Sequence, residues 1–184
     1  MLPAELRGKA LPEVQSSEDH MTSAVFEHLR YVQPSVFWQD LFSQAKTVDN
    51  QRSLDATLDE GHLNISRFEK LSVFFWRYHP KYGEPDLVLR FSSGDGPSVF
   101  VIVEAKLYSG KSGTGEDDQL VRYLRLLAHL EDMDLGAAKR DIRFLVYLTP
   151  RDSTREIKES LDFIRAENDP QNFQNRIFSL QWQD

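Results

Sequence analysis

The sequence predicts a mixed α/β domain with helices packed on a central sheet. Three observations carry that reading. Apolar residues recur at helical spacing up to Ala45, then give way from Leu71 to runs rich in β-branched and aromatic residues. One such run, Val99 to Leu107, is almost continuously apolar, as expected of a strand covered on both faces. The chain has 184 residues, 40% of them hydrophobic. That is enough to bury a core and suits one domain.

Residues 1–15, with Pro3 and Pro12, read as an arm, and residues 16–184 as a single domain. A helix is expected from Ser16-Ser17-Glu18-Asp19, where serines cap and acids meet the positive end of the helix dipole. Met21, Val25 and Leu29 form its stripe. Pro34 suits the first position of a second helix, with Phe37, Trp38, Leu41, Phe42 and Ala45 on its apolar face. Thr47 to Lys70 is polar, and Leu54, Leu58, Leu63 and Ile65 are too sparse to assign. Leu71 to Tyr78 reads as a strand, broken by His79-Pro80-Lys81-Tyr82-Gly83. Strands Asp86–Phe91 and Val99–Leu107 flank the turn signal Gly94-Asp95-Gly96-Pro97 and predict a hairpin. After the Ser109–Gly115 loop, Glu116-Asp117-Asp118 opens a helix continued by Leu120, Tyr123, Leu124 and Leu127. Ile142 to Thr149 is a buried strand closed by Pro150. A helix over Ser153–Ala166, with Ile157, Leu161 and Ile164 as its stripe, and a strand over Arg176–Trp182 complete the pattern.

Composition removes several chemistries. With no cysteine there is no disulfide framework, cysteine–zinc site, Fe–S cluster or thiol nucleophile. No apolar run approaches the ~18 residues of a membrane helix. Glu5, Arg7 and Lys9 interrupt any signal-peptide core. The expectation is a soluble, cytoplasmic protein without a membrane partner. The net charge, 22 − 29 = −7, counts against indiscriminate binding to DNA and fits a site that gathers carboxylates around a cation. The five histidines include no His-x-x-x-His pair, although His20 and His79 lie where they can approach a site near Asp86. Asn64-Ile65-Ser66 matches a glycosylation sequon without a secretory signal to support it, and there is no Gly-x-Ser-x-Gly elbow. Gly110-Lys111-Ser112 imitates a phosphate loop, but Ala105 stands where the first glycine belongs and acids open the next helix. It reads as a flexible active-site loop in which Lys111 either touches a phosphate or is simply solvated. Phe74-Phe75-Trp76 reads as core strand rather than as a platform for bases.

The chemistry concentrates at one end of the predicted hairpin. Glu104 and Lys106 are two apart on a strand, so both side chains leave the same face. Acids and lysines are almost never buried unless paired. Asp86 follows Pro85, a residue suited to a strand start, and a hairpin closed at the glycine turn brings Asp86 opposite Glu104. Two adjacent carboxylates call for a cation, and oxygen ligands suit Mg²⁺ or Mn²⁺. Lys106 beside them can orient or deprotonate a water, or offset charge on a phosphate. Gln119 and Tyr123, four apart, share a helical face near the strand end. Glu18 extends the Met21–Val25–Leu29 stripe by a turn and offers a further metal contact, with Asp19 and Glu27 as weaker choices.

These residues resemble the PD-(D/E)xK nuclease superfamily. Pro85-Asp86 and Glu104-Ala105-Lys106 stand in the family's order on a predicted hairpin, and Gln119-Leu120-Val121-Arg122-Tyr123 is similar to the Gln-x-x-x-Tyr helix of some branches. The resemblance spans roughly Ser16 to Thr149. It implies a restriction-endonuclease-like mixed central β-sheet flanked by helices. It further implies Asp86 and Glu104 as metal ligands and Lys106 as the catalytic lysine, with Gln119 and Tyr123 in support and Glu18 as the helical acid. The activity implied is Mg²⁺-dependent hydrolysis of the DNA backbone to leave a 5′-phosphate, with Mn²⁺ able to substitute and the protein acting alone or as a homodimer. The competing readings are a non-catalytic module of this fold that binds nucleic acid or a partner protein, and an RNA-directed nuclease.

Overall fold

The computed structural model describes residues 18–94, 96–107, 109–167 and 173–182. The predicted arm and the capping serines Ser16 and Ser17 lie outside the described residues. The elements are α1 (Glu18–Leu29), α2 (Pro34–Gln44), α3 (Leu54–Glu60), β1 (Lys70–Phe75), β2 (Leu87–Ser92) and β3 (Val99–Ala105). They continue with α4 (Gln119–Leu126), β4 (Ile142–Thr149), α5 (Thr154–Ala166) and β5 (Ile177–Gln181). Short 3-10 turns cover Ile65–Arg67 and Gly115–Asp117, and a longer 3-10 stretch, Leu127–Met133, prolongs α4.

The five strands form one mixed sheet in the order β1-β2-β3-β4-β5. β1, β2 and β3 run antiparallel as consecutive neighbours, and β3-β4 and β4-β5 are parallel. All seven residues of β3, the middle strand, are buried, as its continuous apolar run requires. Strand alternation divides the core into two layers. Leu87, Leu89 and Phe91 of β2 and Val99, Val101, Val103 and Ala105 of β3 pack with Phe26 of α1, Trp38 and Phe42 of α2 and Leu54 and Leu58 of α3. Val88, Phe100 and Ile102 face the other way, onto Leu120, Val121 and Leu124 of α4 and Ile157, Leu161 and Ile164 of α5. The coarse prediction, α/β with a mixed sheet flanked by helices, is therefore what the chain forms. Glu104, in alternation with Phe100 and Ile102, falls on the α4–α5 side.

Beyond shifts of one or two residues at other strand ends, three departures from the sequence reading have local causes. β1 stops at Phe75, not Tyr78, because Trp76 takes φ 46°, in the left-handed region, and its amide turns to the Asp86 carbonyl at 3.0 Å. α3 fills part of the unassigned segment. Ser53 caps it by accepting from the Ala56 amide, and Leu54 and Leu58 are its buried pair, but seven residues give too few turns to show a period. α4 begins at Gln119 because Asp118 is its cap, with Oδ1 accepting from the Leu120 and Val121 amides. Among the described residues no helix is long and apolar enough to cross a membrane.

Candidate active site

The β2–β3 register pairs Leu87 with Val103, so the next pair along it is Asp86 with Glu104. The Asp86 carboxylate crosses the hairpin and accepts from the Ala105 amide at 2.8 Å. Lys106 continues the β3 line, its amide donating to the Leu148 carbonyl of β4 at 2.8 Å. The Trp182 indole, just past β5, donates to the Lys106 carbonyl at 3.2 Å. The Lys106 backbone is thus held by β4 and by the Trp182 indole, and the Asp86 carboxylate by the β3 backbone.

Lys106 Nζ lies 2.7 Å from Glu104 Oε1, as two residues one strand period apart allow. The Glu104 side chain is 1% exposed and that of Lys106 12%. Gln119 Nε2, at the start of α4, donates to the same Glu104 oxygen at 2.7 Å and lies 3.3 Å from the Tyr123 hydroxyl. The Tyr123 hydroxyl donates to the Glu84 carbonyl at 2.8 Å, tying α4 to the chain entering Asp86. Glu104 Oε2 is buried and has no hydrogen-bond partner among the described residues. An orphaned carboxylate oxygen costs about 1–3 kcal/mol or more unless something is recruited to it.

Burial is the main force on Glu104, and the Asp86 charge adds to it. Together they lift its carboxyl from 4.5 to about 8 against the opposing pull of Lys106. Burial first, then the Glu104 charge, also raises the Tyr123 phenol, so that group stays a protonated donor. A carboxyl pushed toward neutrality beside a second acid marks a place where an added cation would be favourable.

The structure therefore brings together Asp86, Glu104, Lys106, Gln119 and Tyr123. Glu18 opens α1, but its side chain lies outside the described residues. Among the described residues there is no group of three or more histidines and acids that could hold a metal, so here the chain offers two carboxylates. His79 serves its own loop, its Nδ1 accepting from the Lys81 and Tyr82 amides at 3.1 and 3.3 Å. Phe75 and Trp76 are buried and Phe74 is half-buried, so this segment serves the core, with Trp76 just past the end of β1.

Lys111 corrects the sequence reading. It does not extend toward a phosphate. Its side chain is 9% exposed, paired with Asp118 and donating to Ser160 at 2.9 Å. Ser160 in turn donates to Asp118 at 2.9 Å. This cluster locks the loop, the cap of α4 and α5 together, and the same loop accepts from the Gln119 amide through the Ser112 carbonyl at 2.9 Å. Sequence reasoning missed the cluster because Ser160 is far along the chain and only the Asp118 cap leaves a local signal. Lys111→Met leaves Asp118 buried without its cation and is expected to lower unfolding stability by about 3 kcal/mol, read in a urea titration.

Comparison with protein-family models, with characterised proteins and with solved structures finds no match. The functional reading rests on the geometry of the site and on the motif resemblance of its residues.

Proposed function

We propose that the chain is a metal-dependent phosphodiesterase that hydrolyses the DNA backbone, built on a restriction-endonuclease-like sheet of the PD-(D/E)xK type. The observation that carries the reading is the orphaned Oε2 of buried Glu104, opposite Asp86 and with Lys106 2.7 Å from its other oxygen. A buried acid that only needed neutralising would be served by the lysine alone. Two carboxylates and a free oxygen fit a hard divalent cation, which keeps its remaining positions for water and phosphate oxygens.

Asp86 and Glu104 would hold Mg²⁺, and Glu18 is the family-derived candidate for a further contact. When bound, the ion supplies Lewis-acid polarisation of the phosphate and makes a water more acidic. Gln119 fixes the Glu104 carboxylate by its 2.7 Å bond, leaving Oε2 to the ion. Tyr123 keeps Gln119 in place from one turn further along α4. The Lys106 ammonium, at the open edge of the site, orients the attacking water and offsets charge on the phosphate. In-line attack would break the bond to the 3′ oxygen and leave a 5′-phosphate. A chain without cysteine suits the reducing cytoplasm.

Isothermal titration of Mn²⁺ into the wild type and Asp86→Ala tests the reading. Binding in the wild type that is lost in a folded variant supports it. Equal heats from both overturn it and favour a non-catalytic module that binds nucleic acid or a partner protein.

A further inference from the structure

The connection from β1 to β2 is rigid and presents an aromatic ring to water. Trp76, 2% exposed, pins its start to the Asp86 carbonyl. Reciprocal backbone bonds of 2.8 and 2.9 Å between His79 and Gly83 close its middle. Between those anchors Tyr78 is 66% exposed, although tyrosine usually buries much of its ring. Arg77 and Lys81 flank it, both exposed, the first over the Phe74 ring at 5.7 Å and the second over Tyr82 at 5.3 Å. The loop ends at Gly83, two residues before Pro85-Asp86.

A third cation meets the loop from α4. Arg122 is half-buried, and its Nε is buried with no partner. Gly83 has φ 89°, and a Cβ there would stand 3.1 Å from Arg122 Nη1, so glycine keeps space open in front of the guanidinium. Among the described residues no ion pair neutralises Arg77, Lys81 or Arg122, and Glu84 is the one acid in 77–84. A chain of net charge −7 thus gathers three cations outside any ion pair of the described residues, and a solvent-facing ring, on the loop leading into Asp86 and the facing turn of α4.

We propose that this loop and Arg122 hold a single-stranded nucleic acid, with a base stacked on Tyr78 and adjacent phosphates on Arg77, Lys81 and Arg122. An exposed aromatic ring on an anchored loop beside phosphate-binding cations recognises an unstacked base, whereas duplex bases are already covered by their neighbours. The assignment rests on the nuclease reading for its connection to catalysis, but strand binding is measured separately.

Fluorescence anisotropy of a labelled thymidine oligonucleotide of about 12 nucleotides, in EDTA so that nothing is cut, provides the test. Tyr78→Ala is expected to weaken binding about tenfold, and Tyr78→Trp to restore it. The matching duplex should bind more weakly than the single strand and ignore Tyr78→Ala. Arg77→Ala with Lys81→Ala should reduce the salt slope by about 1.4, the contribution of two phosphates on a single strand. Unchanged single-strand affinity in Tyr78→Ala, preference for the duplex, or no binding by the wild type overturns the proposal. Strand affinity that ignores Tyr78, alongside intact Mn²⁺ binding at Asp86 and intact cleavage, would remove this strand track alone and keep the nuclease reading. Tyr78-dependent strand binding without a Mn²⁺ site at Asp86 would remove the nuclease reading and keep the track.

Discussion

Lys106→Met is expected to abolish strand cleavage and to leave Mn²⁺ binding in place. The expected loss of rate is on the order of 10³-fold, the range for removing a positioned proton-transfer group or a charge that meets the transition state. The methionine chain fills a similar volume, and the backbone bonds from Lys106 to Leu148 and Trp182 do not involve the ammonium. Fold and metal ligands therefore survive. One side effect follows from the 2.7 Å pair. Without the ammonium, Glu104 loses the opposite charge that pulls its carboxyl down, so metal uptake shifts to higher pH. Single-turnover cleavage and Mn²⁺ titration, both above pH 8, separate the two effects. Retained cleavage in a folded Lys106→Met protein removes the lysine from the chemistry.

Glu104→Gln stabilises the metal-free protein and prevents it from being stabilised by Mn²⁺. In the folded chain the carboxyl holds its proton to about 8, whereas an unfolded glutamate releases it near 4.5. Between those values the folded state binds more protons, so the wild type loses stability as pH rises through the window. The loss is absent below about 4.5 and complete above about 8. Glutamine does not titrate, and its carbonyl can still accept from Lys106. The variant's advantage in Tm therefore grows from acid to neutral pH and levels off in mild alkali. Each kcal/mol corresponds to about 2–4 °C at this chain length, so a gain of several degrees is expected. Saturating Mn²⁺ is expected to reverse the order, because on the proposed reading only the wild type would gain from binding. Thermal melts across pH, with EDTA and with Mn²⁺, read both effects. A variant that is less stable at every pH contradicts the account of Glu104 as a strained acid.

Such strain fits the proposed metal site. A site that only needed to be stable would replace Glu104 with an apolar residue, because a buried ion pair often does no better than a hydrophobic one. On the proposed reading, two acids and a lysine at a buried strand end would trade stability of the free protein for affinity toward a cation.

Much of this site was legible in the residues because strand and helix periods are local. A turn at Gly94–Pro97 with apolar runs on either side determines which strand ends meet, and hence that Asp86 faces Glu104. A spacing of two puts Lys106 beside Glu104, and a spacing of four puts Tyr123 behind Gln119. The order of the main elements followed from the same periodicity. Four other features were decided by residues far apart in the chain. Glu104 is desolvated because α4 and α5 cover its face of the sheet, and without that cover its carboxyl would be ordinary. Lys111 is a structural cation because Asp118 and Ser160 converge on it from two helices. Trp76 leaves its strand to reach the Asp86 carbonyl, which sets Tyr78 in solvent. Gly83 and Arg122, unremarkable in sequence, meet only when β2 and α4 pack. Periodicity assigns a side chain to a face, but its charge state and partners depend on what tertiary packing places against that face.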